Sequence, residues 1–98
     1  MSTDPTAVAS HAYKTVFENE KIRILENRLG PGEKTEMHAH PSHVGVAVTD
    51  GNYRFTAPDG QSMDAALPAG QALYLDAQSH ATENIGSAEA IAILIELK

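Results

Sequence analysis

The chain has 98 residues, 42% hydrophobic and 20% charged, with a formal net charge of −6 and a pI near 5.2. That length holds one core, not two, and an acidic chain whose seven Lys and Arg residues are scattered repels a phosphate backbone, so nucleic acid is excluded as a partner. Cysteine is absent, which excludes disulfides, thiolate metal sites, iron–sulfur ligation and cysteine nucleophiles, and leaves histidine and oxygen as metal ligands.

Residues 1–12 are small and polar with one proline, which reads as a loose arm or a weakly held edge strand. They lack a basic start followed by an apolar stretch, and no segment of the chain approaches the roughly 18 apolar residues of a membrane span. A cysteine-free chain also fits a reducing compartment, so the expectation is a soluble cytoplasmic protein without a membrane partner. From Thr15 onward the apolar period is two, and turn residues recur every eight to twelve positions or so. The predicted strands are Thr15 to Phe17, Ile22 to Arg28, Thr35 to His40, Val44 to Thr49, Tyr53 to Thr56, Ser62 to Ala66, Gln71 to Leu75, His80 to Ile85 and Glu89 to Leu97. Between them stand Gly30-Pro31-Gly32, Asp50-Gly51, Ala57-Pro58-Asp59-Gly60, Pro68-Ala69-Gly70 and Gly86-Ser87, which supply the φ angles of tight turns. The fold class is therefore all-β. Nine short strands favour closure of residues 13–98 into one barrel or two-sheet jelly roll, because an open sheet would leave long unpaired edges.

His38 and His40 leave the same face of a strand about 6.6 Å apart and can reach one ion. Glu36 shares that face, where it can orient an imidazole or accept a proton from bound water, although a solvated carboxylate at the rim explains it as well. Val44, Val46 and Val48 read as an inward apolar face, which turns His43 outward unless the strand is bulged. His11, in the arm, reads as solvated. Tyr53, Phe55 and Tyr74 read as core packing at least as well as substrate stacking. In the last strand Ile91, Ile93, Ile95 and Leu97 take one side, and Ala92, Leu94 and Glu96 the other. The apolar Leu94 on that second side, in a small barrel that buries little surface alone, points to a symmetric dimer.

The spacing Gly32-x5-His38-x-His40, a strand ending at Gly51, and then Gly70-x9-His80-x3-Asn84 resembles the two short motifs of the cupin superfamily. That resemblance spans roughly half the chain and implies a double-stranded β-helix holding one divalent transition metal ion through His38, His40 and His80. Asn84 would fix the loop that carries His80. Two departures accompany it. The first motif ordinarily has a glutamate four or five residues after its second histidine, where this chain has Val44 and Gly45. The second ordinarily has Pro-x-Gly before its histidine, where this chain has Asp76-Ala77-Gln78-Ser79. His43 is a candidate to fill the missing fourth position.

Three neutral imidazoles leave open positions on an ion, as reactive and exchangeable sites do. Iron, nickel, copper, zinc and manganese all suit the donors, and the ligand set is similar to that of thiol and diketone-cleaving dioxygenases. A site without a carboxylate ligand would attract a small anionic or carbonyl-containing ligand. The expected function is a metal-dependent small-molecule enzyme, an oxygenase or isomerase acting on a carbonyl or acid. A non-catalytic binding or sensing module and a degenerate metal-free barrel are the alternatives.

Overall fold

The computed structural model describes residues 3–98. Period-two segments form nine strands: β1 (Tyr13–Glu18), β2 (Ile22–Leu29), β3 (His38–His40), β4 (His43–Ala47), β5 (Gly51–Thr56), β6 (Ser62–Leu67), β7 (Ala72–Leu75), β8 (Gln78–Asn84) and β9 (Ala90–Leu97). They make a five-stranded sheet in the order β1-β2-β9-β4-β7 and a four-stranded sheet in the order β3-β8-β5-β6, every pair antiparallel. The expected all-β jelly roll is the observed fold. The turns fall where glycine and proline predicted them. Gly60 closes the β5–β6 hairpin at φ 89°, a conformation that a side chain would strain.

The stretch read as a loose arm or edge strand contains a short helix, α1 (Pro5–Val8). Asp4 caps it by accepting the Thr6 amide at 2.9 Å, and Pro5 takes the first helical position, where no amide is needed. Ala9 and Ala12 are buried with Tyr13, Leu25 and Leu29, and Leu94 packs against them. Tyr13 and Leu94 of this cluster also line a cavity of about 160 Å³.

The faces of β4 and β9 are reversed relative to expectation. In β4, His43 and Ala47 are buried and line the cavity with Gly45, while Val48 is half exposed. In β9, Ala92 and Leu94 line the cavity and Glu96 is buried, so Ile91, Ile93, Ile95 and Leu97 face outward. The register confirms both, because Gly45 stands opposite Leu94, and Val44 opposite Ile95. The Leu94 side is therefore interior surface, and the apolar side turned to solvent is the isoleucine side.

Candidate metal centre

His38 and His80 face each other in register across β3 and β8, with ring centroids 4.9 Å apart. His40, two residues along the same face, lies 4.9 Å from His38 and 5.2 Å from His80. Cross-strand pairing plus a two-residue step thus brings the three rings together, and one ligand atom from each lies within 4.8 Å of the others. All three residues are buried. Three such histidines could hold a metal ion.

Each ring is held from behind. His38 Nδ1 donates to the Glu36 carbonyl at 2.7 Å, His40 Nδ1 to Glu96 Oε2 at 2.8 Å, and His80 Nδ1 to Gln78 Oε1 at 3.1 Å. In a neutral ring whose Nδ1 carries the proton, Nε2 presents a lone pair. His40 Nε2 is buried without a hydrogen-bond partner, and His38 Nε2 accepts from the Tyr13 hydroxyl at 3.1 Å. Burial pushes His38 down to about 4. Burial and the neighbouring imidazoles push His80 down to about 3. Both are therefore deprotonated near neutral pH, the state in which imidazole ligates. Burial likewise pushes the Tyr13 hydroxyl well above its ordinary range, so it stays a hydrogen-bond donor.

Glu96 was not among the candidates drawn from the sequence. Its Oε1 accepts from Arg23 Nε at 2.8 Å, and Arg23 in turn pairs with Asp4 at 2.9 Å. Burial opposes its ionisation, but the hydrogen bonds from His40 and Arg23 outweigh burial and hold the carboxyl below its usual range. The expected carboxylate partner, Glu36, has an exposed side chain, because β3 begins only at His38, and it contributes its backbone carbonyl instead. The only sequence signal for Glu96 is the alternation of β9, which puts a lone carboxylate on the Leu94 side, and it identifies Glu96 only once that side is known to face inward.

His43 points inward, against expectation. It is 1% exposed, its Nδ1 donates to the Pro41 carbonyl at 2.8 Å, and its ring stands 4.8 Å from His40. It lies beside the three-histidine group, across the corner at Pro41-Ser42 where the chain changes sheets, and stands opposite Glu96 in register. Tyr53 is buried, Phe55 lines the cavity with its ring 5.3 Å from His80, and Tyr74 is 59% exposed on the outer face. Asn84 was expected to fix a loop carrying His80, but His80 lies within β8 and Asn84 fixes the β8–β9 turn instead. Its Nδ2 donates to the carbonyls of Leu29 and Ala88, and its Oδ1 accepts from the Gly86 amide.

A paired-sheet barrel with histidines from its third and eighth strands has a counterpart in sequence space, since the family model described as "Cupin domain" matches residues 26–96. The chain belongs to the cupin family. No curated protein matches it. Among solved structures, a cupin domain from Bordetella pertussis Tohama I is 27% identical, with a TM-score of 0.80 over 88% of this chain and 91% of that one. A double-stranded β-helix protein from Klebsiella pneumoniae is 19% identical, with a TM-score of 0.70 over 87% and 74%. An RmlC-like cupin from Methanocaldococcus jannaschii is also 19% identical, with a TM-score of 0.67 over 87% and 77%. The two lower identities speak for the fold alone. Within this cupin, the inward position where the first motif ordinarily has its glutamate is Gly45, and a Cβ there would lie 3.4 Å from Leu94 Cδ2. The carboxylate near the centre comes from β9, behind His40.

Proposed function

We propose that this cupin binds one divalent transition metal ion through His38, His40 and His80 and acts there as a metal-dependent small-molecule enzyme, an oxygenase or isomerase working on a carbonyl compound or acid. The observation that carries the reading is the convergence of the three buried rings, one ligand atom from each within 4.8 Å of the others and each Nδ1 hydrogen-bonded from behind. Iron, nickel, copper, zinc and manganese fit three imidazoles and open positions. Such an ion supplies Lewis acidity and a coordination position for a substrate oxygen. The protein's own part is to exclude water with apolar walls, to orient the rings through Glu36, Glu96 and Gln78, and to offer the Tyr13 hydroxyl as a donor beside His38. A binding or sensing module would need the same centre, so catalysis is tested separately from metal.

Metal analysis of untagged protein is expected to give about one ion per chain, and His80→Ala severe loss of it. Full retention in His80→Ala would overturn the centre. Oxygen uptake or isomer formation with small thiols, diketones and keto acids separates an enzyme from a binding module.

Two copies of the chain pair, on this proposal, through the outer face of the five-stranded sheet. Ile24, Val44, Ile93 and Ile95 form its middle, with Phe17 50% and Tyr74 59% exposed at its margins. Five strands spaced about 4.8 Å apart, up to eight residues long, span roughly 500 Å² in projection. That is the scale on which each partner of a modest to standard interface buries about 600–800 Å². One patch facing its own copy satisfies a two-fold axis. A cytoplasmic location completes the reading, and cell fractionation tests it; among the described residues no helix is long and apolar enough to cross a membrane.

A further inference from the structure

Most of the polar side chains that line the cavity beside the three histidines are already engaged or withdrawn. Tyr13 pairs with His38, Asn27 donates to the Ala12 carbonyl, and Gln78 joins His80 to the Asp76 carbonyl. The Tyr53 ring lies against Gly51, and the hydroxyls of Tyr53 and Thr82 are sealed off by surrounding atoms. Gln71 is exposed to solvent.

His43 is the exception. Its Nδ1 donates to the Pro41 carbonyl at 2.8 Å, and because a carbonyl only accepts, that nitrogen carries the proton. The ring is buried and stands 4.8 Å from that of His40, beside the place of a divalent ion, where a second cation is disfavoured. The imidazole is therefore neutral and its Nε2 is an acceptor. No hydrogen bond reaches that Nε2 among the described residues, yet it is not one of the unpartnered atoms sealed in the interior, so it opens on the cavity that the ring lines. His43 also stands outside the group of ligand atoms that converge within 4.8 Å, and the metal reading leaves this lone pair unused. Gly45, the next inward position of β4, has no side chain to cover it.

We propose that His43 is a positioning residue for the substrate, and that the substrate is a hydroxy ketone. Its carbonyl oxygen faces His38, His40 and His80, and the hydroxyl on the neighbouring carbon donates to His43 Nε2. The two oxygens must be close together, because the ring that accepts stands directly beside a ring that ligates. The hydrocarbon body lies among Leu73, Leu75, Leu94 and Met63 in the cavity wall, and an apolar space near 150 Å³ admits a ring of benzene's size. No Lys or Arg lines that wall, so a charge on the body would be buried without a partner. This deepens the metal-centre reading and rests on it for the carbonyl end.

The probes are 2-hydroxycyclohexanone and its methyl ether, 2-methoxycyclohexanone, titrated by NMR against zinc-loaded and chelator-treated protein. The ether keeps both oxygens and lacks the donor. Zinc-loaded wild type is expected to bind the hydroxy ketone about tenfold more tightly, the worth of one good hydrogen bond. His43→Leu should erase that preference with zinc content unchanged, and His43→Gln, whose amide oxygen accepts, should restore part of it. The nitrogen-15 signal of His43 Nε2 gives a reading that needs no variant, and decides the matter even where His43→Leu fails to fold. It should move upfield when wild type takes up the hydroxy ketone and stay in place with the ether. Equal affinities in wild type, a preference that survives in His43→Leu, or an unmoved Nε2 signal would overturn the proposal. Loss of zinc from folded His43→Leu would overturn it too, by making His43 a fourth ligand. In chelator-treated protein the preference of wild type should still exceed that of His43→Leu, so failure to bind zinc would remove the metal reading and leave this one standing.

Discussion

Glu96 Oε2 stands 2.8 Å behind His40 Nδ1, and a carboxylate in that place fixes the tautomer of an imidazole, holds its plane and raises its basicity toward metal. Arg23, paired also with Asp4, keeps the carboxylate itself from swinging. Glu96→Ala is expected to weaken metal binding by about 10–100-fold, the usual cost of losing such a partner. Glu96→Gln retains an acceptor without charge and should fall between that variant and wild type. Competition against a chromophoric chelator measures both, and affinities indistinguishable from wild type would remove Glu96 from the centre. The three histidines were legible because a two-residue step and a second-motif spacing are properties of the sequence itself. Glu96 was not, because a carboxylate near the end of an isoleucine-rich strand reads as solvent-facing until the strand's inward side is known.

At the level of the strand, the instructive error is β4. Its alternation was read correctly as period two, but the face was assigned by apolarity, and a one-residue choice of face inverts every side chain. Both faces of the β4–β9 pair are largely apolar, and the inward one is lined by smaller residues, Gly45, Ala47 and Ala92, around the cavity. Hydrophobicity therefore could not rank the two faces, whereas registration of Gly45 against Leu94 does. Val44→Glu tests the assignment. With the side chain on the outer face, metal content and metal preference should equal those of wild type; a shift toward manganese would mean that the new carboxylate reaches the ion after all. The helix α1 was missed for another reason. Four residues are too few for a periodic signal, although Asp4-Pro5 is a helix start in chemical terms.

For the molecule as a whole, nine strands were legible because the apolar period is two and glycine or proline marks every reversal except Asn19-Glu20-Lys21 and Asp76-Ala77, while the packing of residues 3–12 against the barrel depended on contacts that no local pattern encodes. The same Val44→Glu variant bears on assembly. A carboxylate in the middle of a paired apolar face is buried without a partner, so light scattering at micromolar concentration should show a dimer for wild type and a monomer for the variant. A wild-type monomer would reject the pairing. Finally, β3 is three residues long, lies at the margin of its sheet, and is paired through three positions to a strand forty residues later in the chain. An ion gripped by His38, His40 and His80 would act on it as a staple, closing a loop whose closure otherwise costs entropy. Local opening of this margin should then be slow with metal and fast without. The Ala39 amide donates to the Thr3 carbonyl, so the amides of His38 and His40 are the ones that face β8. Hydrogen exchange at those two, compared before and after chelation, is expected to accelerate well beyond that at β2, and uniform acceleration across the barrel would instead show metal and fold melting as one unit.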